Sequence, residues 1–283
     1  MHVRDMVCFG YGYVAQALHR RLAADASPLP WRVTGTTREP ETIARSRDLP
    51  ADIIAFPGDE WAPQDGASWL VSVPPDDEGC PVYRAFSDRS GTATWIGYLS
   101  TTGVYGDLRC GWAFEETPVA PLSIEARRRR IAEAQWLEKG AQIFRLPGIY
   151  GPGRSAFDRL RAGAARRIIR HGQIFSRAHV DDIASVLALS IERPRPGAIY
   201  NVADDLPCSP DDVTLHAARL LGIDPPQPVP FEEADLSDKA KRFYMECKRV
   251  SNARAKAELG WRPAYPDYRT GLASILQAEA AST

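Results

Sequence analysis

Small residues at Gly10, Gly12 and Ala15, in the stretch Val7-Cys-Phe-Gly-Tyr-Gly-Tyr-Val-Ala15, follow a short apolar run and open a helical pattern. In that setting the first glycine lets the chain turn sharply, the second lets the backbone approach a pyrophosphate, and the small third residue keeps helix and strand close. The N–H groups of the helix start then receive phosphate oxygens. The same spacing also serves an ordinary tight turn, and its place at the first strand-to-helix junction is what points to a dinucleotide. A second group, Ser100-Thr101-Thr102 with Tyr105, ends a later apolar run with three hydroxyls and a phenol. Hydroxyls there can polarise a substrate oxygen, although such residues also cap turns.

Between these groups lies Val33-Thr-Gly-Thr-Thr-Arg-Glu39. A carboxylate at that strand end, roughly 20 residues beyond the glycines, would hold the ribose hydroxyls of NAD. Thr37 and Arg38 stand there instead and suit the 2′-phosphate of NADP, which a carboxylate would repel. Glu39 beside them keeps NAD as the alternative. A further feature is Glu125 followed by Arg127-Arg-Arg-Arg130, inside the helical stretch Leu122 to Trp136. Successive helical residues turn by about 100°, so four arginines in a row cannot form one stripe. At least one leans toward the protein body, where it needs an anionic or hydrogen-bonding partner.

The elements that must position these groups alternate. Strands are expected near Asp5 to Phe9, Trp31 to Thr36, Asp52 to Phe56, Ser68 to Val73, Thr94 to Ser100 and Gln142 to Leu146. Helical stretches between them, such as Tyr13 to Ala24 with Val14, Ala17, Leu18 and Leu22 on one face, build a parallel sheet covered on both sides. After the Pro/Gly cluster Arg145 to Arg154, short strands (Gln173 to Arg177, Ala198 to Ala203) mix with helices beginning near His179, Pro210 and Ser251. With 35 Lys+Arg against 36 Asp+Glu over 283 residues, no global field favours nucleic acid or anionic membranes. Five scattered cysteines show no metal-type spacing and read as reduced residues. The absence of an apolar signal core or an ~18-residue apolar run leads to the expectation of a soluble cytoplasmic protein.

The segments "FGYGYVA", "LSTTGVYGD", "FRLPGIYGPGR", "RAHVDDIA", "GAIYNVADD" and "KRVSNARAKAELGWRP" together resemble the extended short-chain dehydrogenase/reductases of the NAD(P)-dependent epimerase/dehydratase family, in order and over nearly the whole chain. The resemblance implies an α/β fold: a Rossmann-type doubly wound parallel sheet over residues 1–150, joined by returning segments of the second half, and a smaller substrate lobe mainly over 151–283. It implies reduction or epimerisation at a hydroxyl or carbonyl carbon of a small molecule, often a nucleotide-sugar or another diphosphate conjugate. Cofactor contacts would come from Gly10, Tyr11, Gly12, Tyr13, Val14, Thr37, Arg38, Ser72, Val73, Pro147, Gly148 and Ile149. Thr101 would polarise the substrate oxygen, and Thr102, Arg154 and Arg177 would meet the substrate.

The family's Tyr-x-x-x-Lys pair falls on Glu125 and Arg129, so its tyrosine is absent. Three readings follow for this helix. Arg129 holds the cofactor ribose with Glu125 outside the chemistry, or Glu125 is the acid/base group, or the two form a solvated surface pair. Tyr105 is a candidate substitute phenol. The family's usual substrate arginine falls on Phe175 here, which puts a diphosphate clamp in question. His179, Asp181 and Asp182 open a helix, where they cap it and complement its dipole rather than hold a metal. The resemblance places a homodimer contact on the arginine-rich helix. The missing tyrosine also admits a catalytically silent NADP(H)-binding sensor, or an isomerase without net redox.

Overall fold

The computed structural model describes residues 3–25, 29–41, 49–56 and 61–281, the side chain of Lys239 excepted. Strand β1 (Arg4–Phe9) runs through the glycine turn into α1 (Tyr13–Ala23), followed by β2 (Trp31–Thr37), β3 (Asp52–Ala55) and β4 (Ser68–Val71). Then come α2 (Pro81–Phe86), β5 (Trp95–Thr101), β6 (Trp112–Ala113), α3 (Ile124–Glu138), β7 (Gln142–Leu146) and β8 (Gly148–Tyr150). The remainder is α4 (Ala156–Arg161), β9 (Arg167–Ile169), β10 (Arg177–His179), α5 (Val180–Glu192), β11 (Ile199–Asn201), α6 (Pro210–Leu221), β12 (Pro228–Pro230), α7 (Asp238–Tyr244), β13 (Arg249–Val250), α8 (Ala253–Leu259) and α9 (Tyr268–Ala281).

Seven strands form the main sheet in the order β11-β7-β5-β4-β1-β2-β3, with every pair parallel. The chain leaves β1 in both directions, so a crevice opens at the carboxyl ends of β1 and β4, where open α/β sheets take ligands. Side chains alternate along β1 as strand geometry requires: Met6 and Cys8 enter one core, Val7 and Phe9 the other. The first core packs Val14, Leu18 and Leu22 of α1 with Ile183, Val186 and Leu187 of α5, and Trp261 closes it. The second gathers Trp69, Tyr98 and Trp136. With both faces covered, the central strands β4, β5 and β7 are buried over nearly their whole length, polar residues such as Gln142 and Arg145 included. A separate core of Phe157, Leu160, Ala217, Ala218, Leu272 and Ile275 lies under α4, α6 and α9.

Two features correct or extend the sequence reading. Cys110 and Cys247 form a disulfide, so these two cysteines are not reduced, whereas Cys8, Cys80 and Cys208 are free. The partners lie 137 residues apart and are drawn together by backbone hydrogen bonds from Leu108 and Cys110 to the Cys247 carbonyl and from Arg249 to Gly111, a pairing that spacing does not reveal. The other is a buried ion pair. Arg145 on β7 donates to both carboxylate oxygens of Glu133 on α3 at 3.0 and 2.7 Å, and Ser100 donates to the same carboxylate at 2.5 Å. Among the described residues no helix is long and apolar enough to cross a membrane.

Candidate cofactor groove and adjoining cavity

Gly10 adopts φ 90° and donates its N–H to the Thr36 hydroxyl at 3.1 Å, and a Cβ there would meet Ser72 Oγ at 2.6 Å. The fold itself therefore requires that glycine. Gly12 differs: its φ is −95° and a Cβ built on it meets nothing within 4 Å. Among the described residues no contact requires a glycine at that point, and the open space fits the close passage of a ligand. Gly12 is also the N-cap of α1, with no side-chain cap and no acidic residue in the first turn. The free N–H groups and the positive end of the dipole thus face the groove uncompensated.

Gly12, Tyr13, Val14, Ser72, Leu99, Ser100, Thr101, Arg129, Leu146, Pro147, Ile149 and Arg154 line this groove of about 330 Å³. Ser72 stands beside the turn by donating to the Phe9 and Gly10 carbonyls at 3.1 and 2.7 Å. Tyr13 donates to the Pro152 carbonyl at 3.0 Å, and burial pushes its phenol up to about 12, so it stays neutral.

The four arginines of α3 separate as the helical geometry demands. Arg127 turns back to the Pro121 carbonyl, Arg128 makes a two-point pair with Asp77 at 2.8 and 2.9 Å, and Arg130 is exposed. Arg129 alone points to the sheet, donating to the Leu99 carbonyl at 2.5 Å and to the Tyr98 phenol at 3.2 Å. No carboxylate pairs with it among the described residues, so its charge faces the groove uncompensated.

Beyond Thr101 and Pro147, which border both spaces, lies a larger cavity of about 590 Å³. Thr101 ends β5, held in register opposite Leu146 of β7. Its Oγ1 accepts the Gly103 N–H at 3.1 Å, which leaves the hydroxyl proton available to a ligand oxygen. Thr102, Gly148 and Glu125 line the same cavity, so Glu125 and Arg129, one helical turn apart, look into adjacent compartments. The far wall carries Phe175, Arg242, Phe243, Glu246 and Lys248, of which sequence reasoning singled out only Phe175. The signal was the mixed basic and aromatic run Lys239 to Lys248, which gives no indication of what it will face.

Several expected site residues lie elsewhere. Tyr105 is fully buried and lines neither space; it donates to Asn201 at 2.8 Å and accepts from Arg145 at 3.0 Å, so it is part of the buried polar network and not a substitute acid. Tyr11 is a core residue whose phenol meets His19 Nδ1 at 2.6 Å and whose N–H goes to Thr36. Its ring packs on Gly35, where a Cβ would come within 2.6 Å. Val73 packs into the second core. Arg154 borders the cofactor groove rather than the larger cavity, lying over the Tyr13 ring. Arg177 lies off the cavity lining, donating to Cys208 Sγ at 2.7 Å and to the Phe175 carbonyl at 3.4 Å. Thr37 ends β2 and Arg38 follows it; Thr37 accepts from the Glu39 N–H at 3.3 Å, and Arg38 is exposed. His179 caps α5, its Nδ1 facing the Asp181 N–H at 3.3 Å, while Asp182 accepts from Ala264 and Tyr265.

No protein-family model matches the chain. The chain belongs to one family with a functionally unknown conserved protein from Silicibacter pomeroyi DSS, sharing 46% identity and a TM-score of 0.91 over 98% of this chain and 99% of that one. It is also 30% identical over 173 residues to the 3-diazoavenalumate denitrifying reductase of a Streptomyces species, a match covering 57% of this chain and 53% of the reductase. The dTDP-glucose 4,6-dehydratase of Bacillus anthracis str. Ames, solved in complex with NAD, superposes with a TM-score of 0.75 at 14% identity, over 99% of this chain and 97% of the dehydratase. At that identity the likeness speaks for the fold: the Rossmann-type sheet of epimerase/dehydratase enzymes.

Proposed function

We propose that this protein binds a nicotinamide dinucleotide, NADP(H) in preference to NAD(H), and works as a reductase or epimerase on a hydroxyl or carbonyl carbon of a small molecule held in the larger cavity. The observation that carries the reading is the convergence at Thr101: a groove with an open glycine cradle and an unpaired arginine meets a second cavity at one hydroxyl. Bound in that groove, the dinucleotide would supply hydride exchange with the substrate carbon. The α1 N–H groups and Gly12 would hold the pyrophosphate, and Arg129 would hold the nicotinamide ribose. Pro147 and Ile149 would border the nicotinamide end. Thr101 would hydrogen-bond the substrate oxygen, and the proton would reach it through the cavity that Glu125 borders. The dehydratase fold with NAD and the partial match to a reductase support this class of chemistry.

Arg38 carries the NADP preference. Replacing a phosphate-facing guanidinium by a carboxylate exchanges attraction for repulsion. Arg38→Glu is therefore expected to shift the ratio of NADPH to NADH affinity by about tenfold or more toward NADH, a difference of about 1.4 kcal/mol. Calorimetric dissociation constants for both cofactors check this, and an unchanged ratio would place 2′-phosphate recognition elsewhere.

A second reading has its own observation: among the described residues no tyrosine lines the larger cavity. On that reading the protein binds NADP(H) without turning it over. Wild-type protein that binds NADPH yet never oxidises it across a broad carbonyl panel would select it.

A further inference from the structure

We propose that the larger cavity selects a planar aromatic substrate bearing a single carboxylate, and that Phe243 and Arg242 determine this specificity. The inference rests on the reading of the cavity as the substrate site. At the position where a diphosphate-binding arginine was expected, the wall is Phe175, whose ring stacks on Phe243 at a centroid distance of 4.3 Å and an interplanar angle of 16°. Phe243 remains 56% exposed although it is large and apolar. One of its faces is thus available to a flat ring, and aromatic pairs favour such offset stacking. Ala126, Pro147, Ile174 and Val250 extend the apolar lining toward Thr101.

Charge narrows the ligand further. Two cations line the cavity, Arg242 and Lys248. Lys248 is committed, donating to Glu246 at 2.5 Å and to the Gly106 carbonyl at 2.7 Å. Arg242 is exposed and pairs with no carboxylate among the described residues. Glu125 and Glu246 line the same space, so its formal charges cancel. A nucleotide diphosphate would bring about two negative charges to a wall with one uncommitted guanidinium, whereas a monocarboxylate matches it one to one. A cavity of about 590 Å³ also suits a compact ligand.

The test measures equilibrium binding of 4-carboxybenzaldehyde, benzaldehyde and UDP-glucose to the full chain, with NADPH binding measured separately on the same preparations. The wild type is expected to bind 4-carboxybenzaldehyde more tightly than either comparator. Arg242→Gln should weaken the carboxylated probe by about tenfold and leave benzaldehyde unchanged, with partial rescue in Arg242→Lys. Phe243→Ala should weaken both aromatic probes by about tenfold. Both positions are exposed, and unchanged melting temperatures would show that the variants fold. The proposal is overturned if UDP-glucose binds more tightly than the aromatic acid, if the acid does not bind at all, or if Arg242→Gln weakens both aldehydes equally. Failure of NADPH to bind would instead count against the cofactor reading.

Discussion

Thr101→Val is expected to lower turnover of any carbonyl substrate of this protein by about a hundredfold or more, while NADPH affinity stays within about twofold. Valine keeps the shape of threonine and removes the one hydroxyl among the described residues that borders both the candidate cofactor groove and the larger cavity. That hydroxyl accepts from the Gly103 N–H, which leaves its proton available to a ligand oxygen. The variant also loses the cap of the short 3-10 turn Thr102–Tyr105, a cost of about 1 kcal/mol that a melting curve registers separately from activity. Steady-state rates beside calorimetric NADPH binding separate the two effects. Full activity in the variant would mean that the strand-end hydroxyls serve only the turn.

Glu133→Ala carries the largest expected effect on stability. The substitution strips Arg145 of its carboxylate partner at a site where both side chains are only 5% exposed. Burial alone would favour the neutral guanidine, and it is the Glu133 contact that keeps Arg145 raised and charged. Removing one member of such a pair leaves an uncompensated buried charge and costs about 3–5 kcal/mol. In a domain of this size that corresponds to a fall in Tm of about 10 °C. The double change Glu133→Leu with Arg145→Met should recover much of the loss, because it removes both charges and not one. A single variant that melts with the wild type would contradict the buried network.

How much of this was legible in the sequence follows the range of the interactions involved. The strands of the large sheet were readable because β1, β2, β5 and β7 are short apolar runs between turn signals, and their type depends on local pattern. The inward tilt of one arginine followed from helical periodicity alone, and Arg129 takes that position. The pairings of β6 with β13 and of β9 with β12 join segments far apart in the chain, and two- or three-residue strands carry no periodic signal. The disulfide, which joins residues 137 apart, is hidden for the same reason, whereas the Arg145–Glu133 pair, only 12 residues apart, is hidden because local pattern does not tell which faces of α3 and β7 meet. Tyr105 misleads because its position near Thr101 in sequence suggests the cavity mouth, whereas the 3-10 turn directs its ring to Asn201. The opposite cavity wall depends on how α7 and β13 fold back, so Arg242, Phe243 and Lys248 emerge only in three dimensions.

On the proposed reading the glycine turn is a cofactor cradle. Calorimetric titration of NADPH into the wild type and Gly12→Val puts this to the test, because a Cβ at residue 12 meets nothing within 4 Å among the described residues and its φ of −95° suits any residue. The wild type is expected to bind NADPH. Gly12→Val is expected to melt within about 3 °C of it and to lose affinity by about a hundredfold or more, since the new side chain would fill the space proposed for the pyrophosphate. Equal binding by both proteins, or binding by neither, would contradict the claim and leave the turn as a connection between strand and helix.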